Sequence, residues 1–256
     1  MLISRQYQPR GAFDPAGGGP AWSPSDLGAD LVAWYDASNA GSLTLSGADV
    51  TAWADLSGNG YTLSSTAGTN YPQYSATGFN GHPGVTFGGS GNKGLKTGSD
   101  VVALGGTIVS MFSAAQPDFT GMSNYARFVH VTRNAFTDYD NAESGILYMR
   151  DNNTASCGGV RNSSAVLSPQ TLVDDTPYRL AGIYDGTNYT SYVNNAAGSS
   201  DSSTGTFTSS LIIYIGRGTG GEMWGGPVAE VIIAKSAPDA TLRQTIDDYL
   251  TAKWGL

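Results

Sequence analysis

The sequence predicts an all-β protein: a two-sheet antiparallel β-sandwich of jelly-roll form, with an extended N-terminal arm and a short C-terminal helix. Three observations predict it. Turn residues recur about every 8–15 residues from 40 to 228, the cadence of a sandwich. The 256 residues include 35 Gly and 11 Pro with abundant Ser, Thr and Asn, and no long helical periodicity occurs before the C-terminus. The closing stretch carries two β-branched apolar runs, Leu211–Ile215 and Val228–Ala234, on either side of a Gly-rich turn.

Residues 1–28 differ from the rest. Prolines and the Gly17–Gly19 triplet before Pro20 cannot propagate a helix or an inner strand. The first ten residues carry Arg5 and Arg10 and no acid, and Leu2, Ile3, Tyr7 and Phe13 supply apolar anchors that a pure linker does not need. This segment is read as an anchoring arm on a tether, and residues 29–256 as one domain.

The domain opens with LVAWYDAS, a strand running into a turn. Leu43, Leu45, Val50 and Trp53 mark short strands around the turn Ser46–Asp49, and Asp55–Gly60 is a dense turn signal. Asn80-Gly81 turns into a strand over Gly84–Phe87. Residues 105–115 read as a buried strand. In the next strand His130 alternates with Val129 and Val131, which points its ring toward solvent. Asp185-Gly186 predicts a hairpin, and Asn194-Asn195 the following turn. At the end, Ser236 reads as a helix N-cap with Asp239 in the capping-box position. Leu242, Ile246, Tyr249, Leu250 and Trp254 share one helical face, and Gly255 occupies the C-cap glycine position.

Three blocks resemble the concanavalin A-like, laminin-G-like lectin–glucanase sandwich family, in the form found in phage virion and bacterial surface proteins. They are LVAWYDASNAGSLTLSGADVTAWADLSGNGYTLS with NGHPGVTFGG, then YRLAGIYDGTNYTSYVNN, then IYIGRGTGGEMWGGPVAEVIIAKSAPDATLRQTIDDYLTAKWGL. Together they span residues 30–256. In the second block Asn195 stands where the family pattern has Gly, a tolerable exchange because Asn also adopts positive φ. The resemblance implies two antiparallel sheets of about six or seven strands each. It implies no single function.

Composition narrows the function. A net charge of −8 and only 13 basic residues exclude nucleic acid as a partner, since that affinity rests on neutralising phosphates. No apolar run is long enough to span a bilayer as a helix, and the first residues lack the apolar core of a secretory signal. One cysteine, Cys157, excludes an intrachain disulfide. Nucleophile-elbow and phosphate-loop motifs are absent, and His82 and His130 have no partner at zinc-ligand spacing. The Glu-x-Asp-x-x-Glu motif of the glucanase relatives is missing; Glu230, in the closing strand, reads as structural. No catalytic residue and no cofactor is therefore expected.

Calcium is the one ion the resemblance leaves open, with Asp138, Asp140 and Asp151, beside Asn141 and Asn152, as loop candidates. Tyr125, Tyr139, Tyr189 and Trp224 lie in or beside turn-rich segments and are candidate glycan platforms, while Trp34, Trp53 and Trp254 look like packing residues. The reading that follows is a non-catalytic bacteriophage virion protein, a capsid decoration, head-fibre or tail component. Its arm would dock on other virion proteins, and its sandwich would face outward toward host polysaccharide. A homo-oligomer, with a trimer favoured, suits such an appendage. The alternative is a bacterial cell-surface carbohydrate-binding module; a glycoside hydrolase ranks lower.

Overall fold

A computed structural model describes residues 22–65, 70–91, 93–98, 104, 106, 108–122, 126–132, 145–147, 156–161, 164–202, 211–218 and 222–256. Seventeen strands and one α-helix follow in order. They are β1 (Leu31–Asp36), β2 (Leu43–Ser46), β3 (Asp49–Trp53), β4 (Leu63–Ser65), β5 (Gln73–Phe79), β6 (His82–Gly88), β7 (Leu95–Lys96), β8 (Val109–Ala115) and β9 (Val129–Thr132). Then come β10 (Gly145–Leu147), β11 (Ser156–Arg161), β12 (Ser164–Thr171), β13 (Tyr178–Tyr184), β14 (Asn188–Val193), β15 (Ala196–Ser202), β16 (Ile212–Ile215), β17 (Gly225–Ala234) and helix α1 (Ala240–Trp254).

All pairings between these strands are antiparallel, and they form two layers. The first layer runs β5–β6–β17–β8–β13–β14–β15, with β1 also on β17. The second runs β2–β3–β4–β7–β16–β9–β10–β11–β12. One pair, Asp49 with Gln73, links β3 to β5 and folds the layers over each other. The expected two-sheet sandwich is present. It holds more strands than six or seven per sheet, because short pieces such as β4 and β7 pair separately.

β17 is the central strand, and all of its residues are buried. β8 lies along one side, while β6 and then β1 take the other side end to end. Burial on both faces explains why its sequence is a nearly continuous apolar run. A bulge between Val228 and Glu230 re-aims the strand. Val231 and Ile233 then face the interior between the sheets, with Met111 of β8 and Leu180 of β13. Ile232, Phe112 and Ile183 face the other way and pack under Ile246, Leu250 and Trp254 of α1. The helix is thus a lid over the outer face of the first sheet.

The helix begins later than the sequence suggested. Asp239 is the N-cap, its Oδ1 accepting the Leu242 N–H at 2.8 Å, and Ser236 belongs to the bend leaving β17. A start at Ser236 would place Ala237 in the first turn directly before Pro238, a position that disfavours helical angles. Gly255 caps the other end at φ 67°, as expected. Of the segment 1–28, residues 22–28 are described. Trp22 packs edge-on against Tyr249 at 5.2 Å, and Pro24–Asp30 forms a 3₁₀ turn whose Ser23 N–H donates to Asp26. The arm anchors Leu2, Ile3, Arg5, Tyr7, Arg10 and Phe13 lie outside the described residues.

Candidate functional site

The second sheet offers a face turned away from the core. Cross-strand partners share a face, so register alone traces a row across it. Thr44 pairs with Ala52, Ala52 with Ser64, Ser64 with Lys96, Lys96 with Tyr214, and Tyr214 with His130. Their strand neighbours Leu43, Trp53, Leu63, Leu95, Ile215 and Val129 all point into the interior. Thr44 and Ser64 are exposed, Lys96 is half-buried, and Tyr214 and His130 are buried with their rings stacked at 6.0 Å. Thr132 and Ile212 extend the same face. The Thr132 hydroxyl is buried with no hydrogen-bond partner among the described residues. On the accessible part of this face, the Thr44 and Ser64 hydroxyls and the Lys96 ammonium group are hydrogen-bonding groups suited to sugar hydroxyls. His130 lies on the face predicted for it but is covered rather than exposed to solvent, which corrects that expectation.

Gly225 and Gly226, at the buried start of β17, let residues 116–118 lie directly against the strand. A Cβ on Gly225 would fall 2.3 Å from the Asp118 carbonyl oxygen, and one on Gly226 2.1 Å from that of Gln116. This approach lets the Asp118 N–H reach the Gly225 carbonyl at 3.0 Å. Beside it, carboxylate oxygens of Asp118, Asp174 and Asp175 lie within 4.8 Å of one another. Hard cations take such oxygen ligands, so these residues could hold one. Loop closure accounts for two of the three without an ion: Asp174 accepts the Phe119 N–H at 2.7 Å and Asp118 the Thr120 N–H at 2.8 Å. Sequence reasoning missed this trio because Asp118 is far from the other two along the chain. The calcium candidates Asp138, Asp140 and Asp151 lie outside the described residues.

Glu230 has a different job. It is fully buried and accepts from Trp34 Nε1 at 2.7 Å, Trp254 Nε1 at 2.7 Å and the Tyr249 hydroxyl at 2.8 Å. Lys253 Nζ stands 3.0 Å from Glu230 and 2.7 Å from Asp36. Burial pushes the Glu230 carboxyl above its ordinary value; Lys253 pulls it back, and Asp36 adds to the rise. This cluster ties α1 to β1 and β17, and no substrate can reach the carboxylate.

Two glycan candidates are corrected. Tyr189 is buried in the interior, because β14 begins at Asn188 and alternation turns Tyr189, Ser191 and Val193 inward. Trp224 is also interior, its ring 4.8 Å from Phe128. The glycines around it close the chain over the core instead of opening a rim: its N–H bonds the Gly216 carbonyl and its own carbonyl accepts from Gly89. Tyr125 and Tyr139 lie outside the described residues. Trp53 and Trp254 pack as expected, and Trp34 is partly buried against the helix-side cluster.

The architecture has counterparts among solved structures. Domain 4 of an extracellular arabinanase from Geobacillus stearothermophilus, solved with arabinotriose, matches over 85% of this chain and 97% of its own, with TM-score 0.59 and 14% identity. In fold, the chain is similar to that domain, a two-layer antiparallel β-sandwich. An α-L-arabinofuranosidase matches with TM-score 0.63 and 12% identity, over 91% of this chain and 66% of its own. The binding domain of Paraclostridial Mosquitocidal Protein 1 gives 0.61 and 11%, over 87% of this chain and 53% of its own. No protein-family model matches the sequence, and no curated protein does.

Proposed function

We propose that this chain is a non-catalytic carbohydrate-binding sandwich. The observation that carries the reading is its match, over 85% of this chain and 97% of the other, to a single domain solved with arabinotriose. The accessible part of the outer row of the second sheet, from Thr44 through Ser64 to Lys96, is the surface we assign to the sugar. Non-catalytic action is supported by Glu230, a carboxylate spent on holding the helix. Calorimetric titration of the full chain with arabinotriose and with larger polysaccharides tests the binding. Lys96→Ala should weaken binding about tenfold if a charge-assisted bond to the sugar is lost. Unchanged affinity removes this face from the reading. A polysaccharide shortened on incubation overturns the non-catalytic part, and Asp118→Asn would then test the Asp118, Asp174 and Asp175 carboxylates.

We further propose display on a bacteriophage virion through the arm, with display on a bacterial cell surface as the alternative. The contrast between the basic, apolar-anchored residues 1–13 and the acidic domain supports an arm that docks elsewhere. Co-sedimentation with particles lacking the protein tests it: full-length chain should pellet and a chain without residues 1–13 should not. If both pellet or neither does, the arm is not the anchor.

A further inference from the structure

A shallow, open hollow lies between α1 and the β13–β14 hairpin. Phe112, Ala181 and Leu250 form its apolar floor, and Arg179 and Arg243 stand at its edge. Both guanidinium groups are held in place by their own partners. Arg179 Nε bonds Asp247 Oδ1 at 2.7 Å. Arg243 Nε bonds Asn195 Oδ1 at 2.9 Å, and its guanidinium lies 4.6 Å above the Tyr192 ring centroid. Asn195 is set by the turn between β14 and β15, at φ 62°, and its amide donates to Gln244. Among the described residues no carboxylate pairs with Arg243, and both arginines are held through Nε. Their Nη donors remain for a ligand.

We infer that this depression receives the carboxylate of an acidic sugar, a uronic-acid residue of a polysaccharide. The inference rests on the glycan-binding reading above and adds a substrate class to it. A guanidinium presents a planar fork that matches a carboxylate bidentately, and stacking on Tyr192 fixes that plane before binding. The Asp247 carboxylate neutralises Arg179, so the positive charge left at the site is that of Arg243. An acidic domain of net charge −8 repels acidic polymers in general. A fixed arginine at the mouth of this hollow gives such a polymer one place to dock, through its carboxylate.

The test is calorimetric titration of the full chain with trigalacturonic acid, its methyl ester and arabinotriose. The acid should bind at least about tenfold tighter than the ester, and added salt should erode the difference. Arg243→Gln should remove that preference while leaving arabinotriose affinity unchanged. Arg243→Lys keeps the charge without the fork and should fall between the two. Thermal midpoints of both variants show whether the fold survives. If acid and ester bind equally, or Arg243→Lys matches the wild type while folded, Arg243 only clamps the helix and the inference fails, with the glycan reading intact. If none of the three sugars binds, the glycan reading fails with it.

Discussion

At Glu230, one buried carboxylate holds together residues from the two ends of the domain. Its oxygens accept two indole N–H groups and a phenol, and share Lys253 with Asp36. Glu230→Gln replaces an acceptor with a donor facing donors that are already in place. It should cost about 2–3 kcal/mol, read from the urea midpoint. The pH dependence has a definite sign. The folded carboxyl keeps its proton above its ordinary value of 4.5. The native state therefore binds more protons than the unfolded chain just above that value, and the Glu230 contribution declines as pH rises through the folded pKa. Stability measured across this window should fall more steeply in the wild type than in Glu230→Gln; the opposite slope means that Lys253 holds the carboxylate ionised. The sequence marked Glu230 only as structural, because its donors Trp34 and Trp254 come from β1 and α1. Gly216 is a second case. It sits at φ 81°, and a Cβ there would meet the buried Phe87 ring at 2.1 Å. Gly216→Ala should cost about 3 kcal/mol from clash and backbone strain together.

Single elements were legible where their signals are local. The turns Asn80-Gly81 and Asn194-Asn195 take the positive φ values that their side chains tolerate, at 48° and 79° and at 48° and 62°. The face of α1 was readable from spacing: Ile246, Leu250 and Trp254 are its buried residues. The start of the helix was misread by three residues, from Ser236 to Asp239, because two side chains in a row of polar and Pro positions can cap. Asp239→Ala removes the bond to the Leu242 N–H and should cost about 1 kcal/mol by thermal or chemical unfolding; Ser236→Ala should cost well under that. Tyr189 and Trp224 were misread for a related reason. Gly, Asn and Asp near an aromatic signal a turn, but the first residue after a turn can already face the core, and only strand pairing reveals that. The row Ser64–Lys96–Tyr214–His130 was invisible for the same cause, since its members come from β4, β7, β16 and β9.

Across the whole molecule, β17 and β8 connect everything. Alternate side chains of these two strands feed the interior on one face and the bed of α1 on the other. The sandwich class was readable from turn cadence, but the layering was not, because β1 pairs with β17 across nearly the whole chain. Such a pairing gives the two clusters a shared fate: losing β17 removes both floors at once. The tryptophans make this measurable. Trp53 and Trp224 sit in the interior cluster, whereas Trp22, Trp34 and Trp254 belong to the helix side. Replacing Trp22, Trp34 and Trp254 with Phe leaves Trp53 and Trp224 as reporters of the interior, and replacing Trp53 and Trp224 instead leaves the three helix-side reporters. Urea curves from the two sets should superimpose with far-ultraviolet circular dichroism once each is corrected for its own midpoint shift, as a single cooperative transition requires. An earlier, separate loss of the helix-side signal would mean that α1 unfolds on its own, and that the Glu230 cluster holds the helix without coupling it to the sandwich.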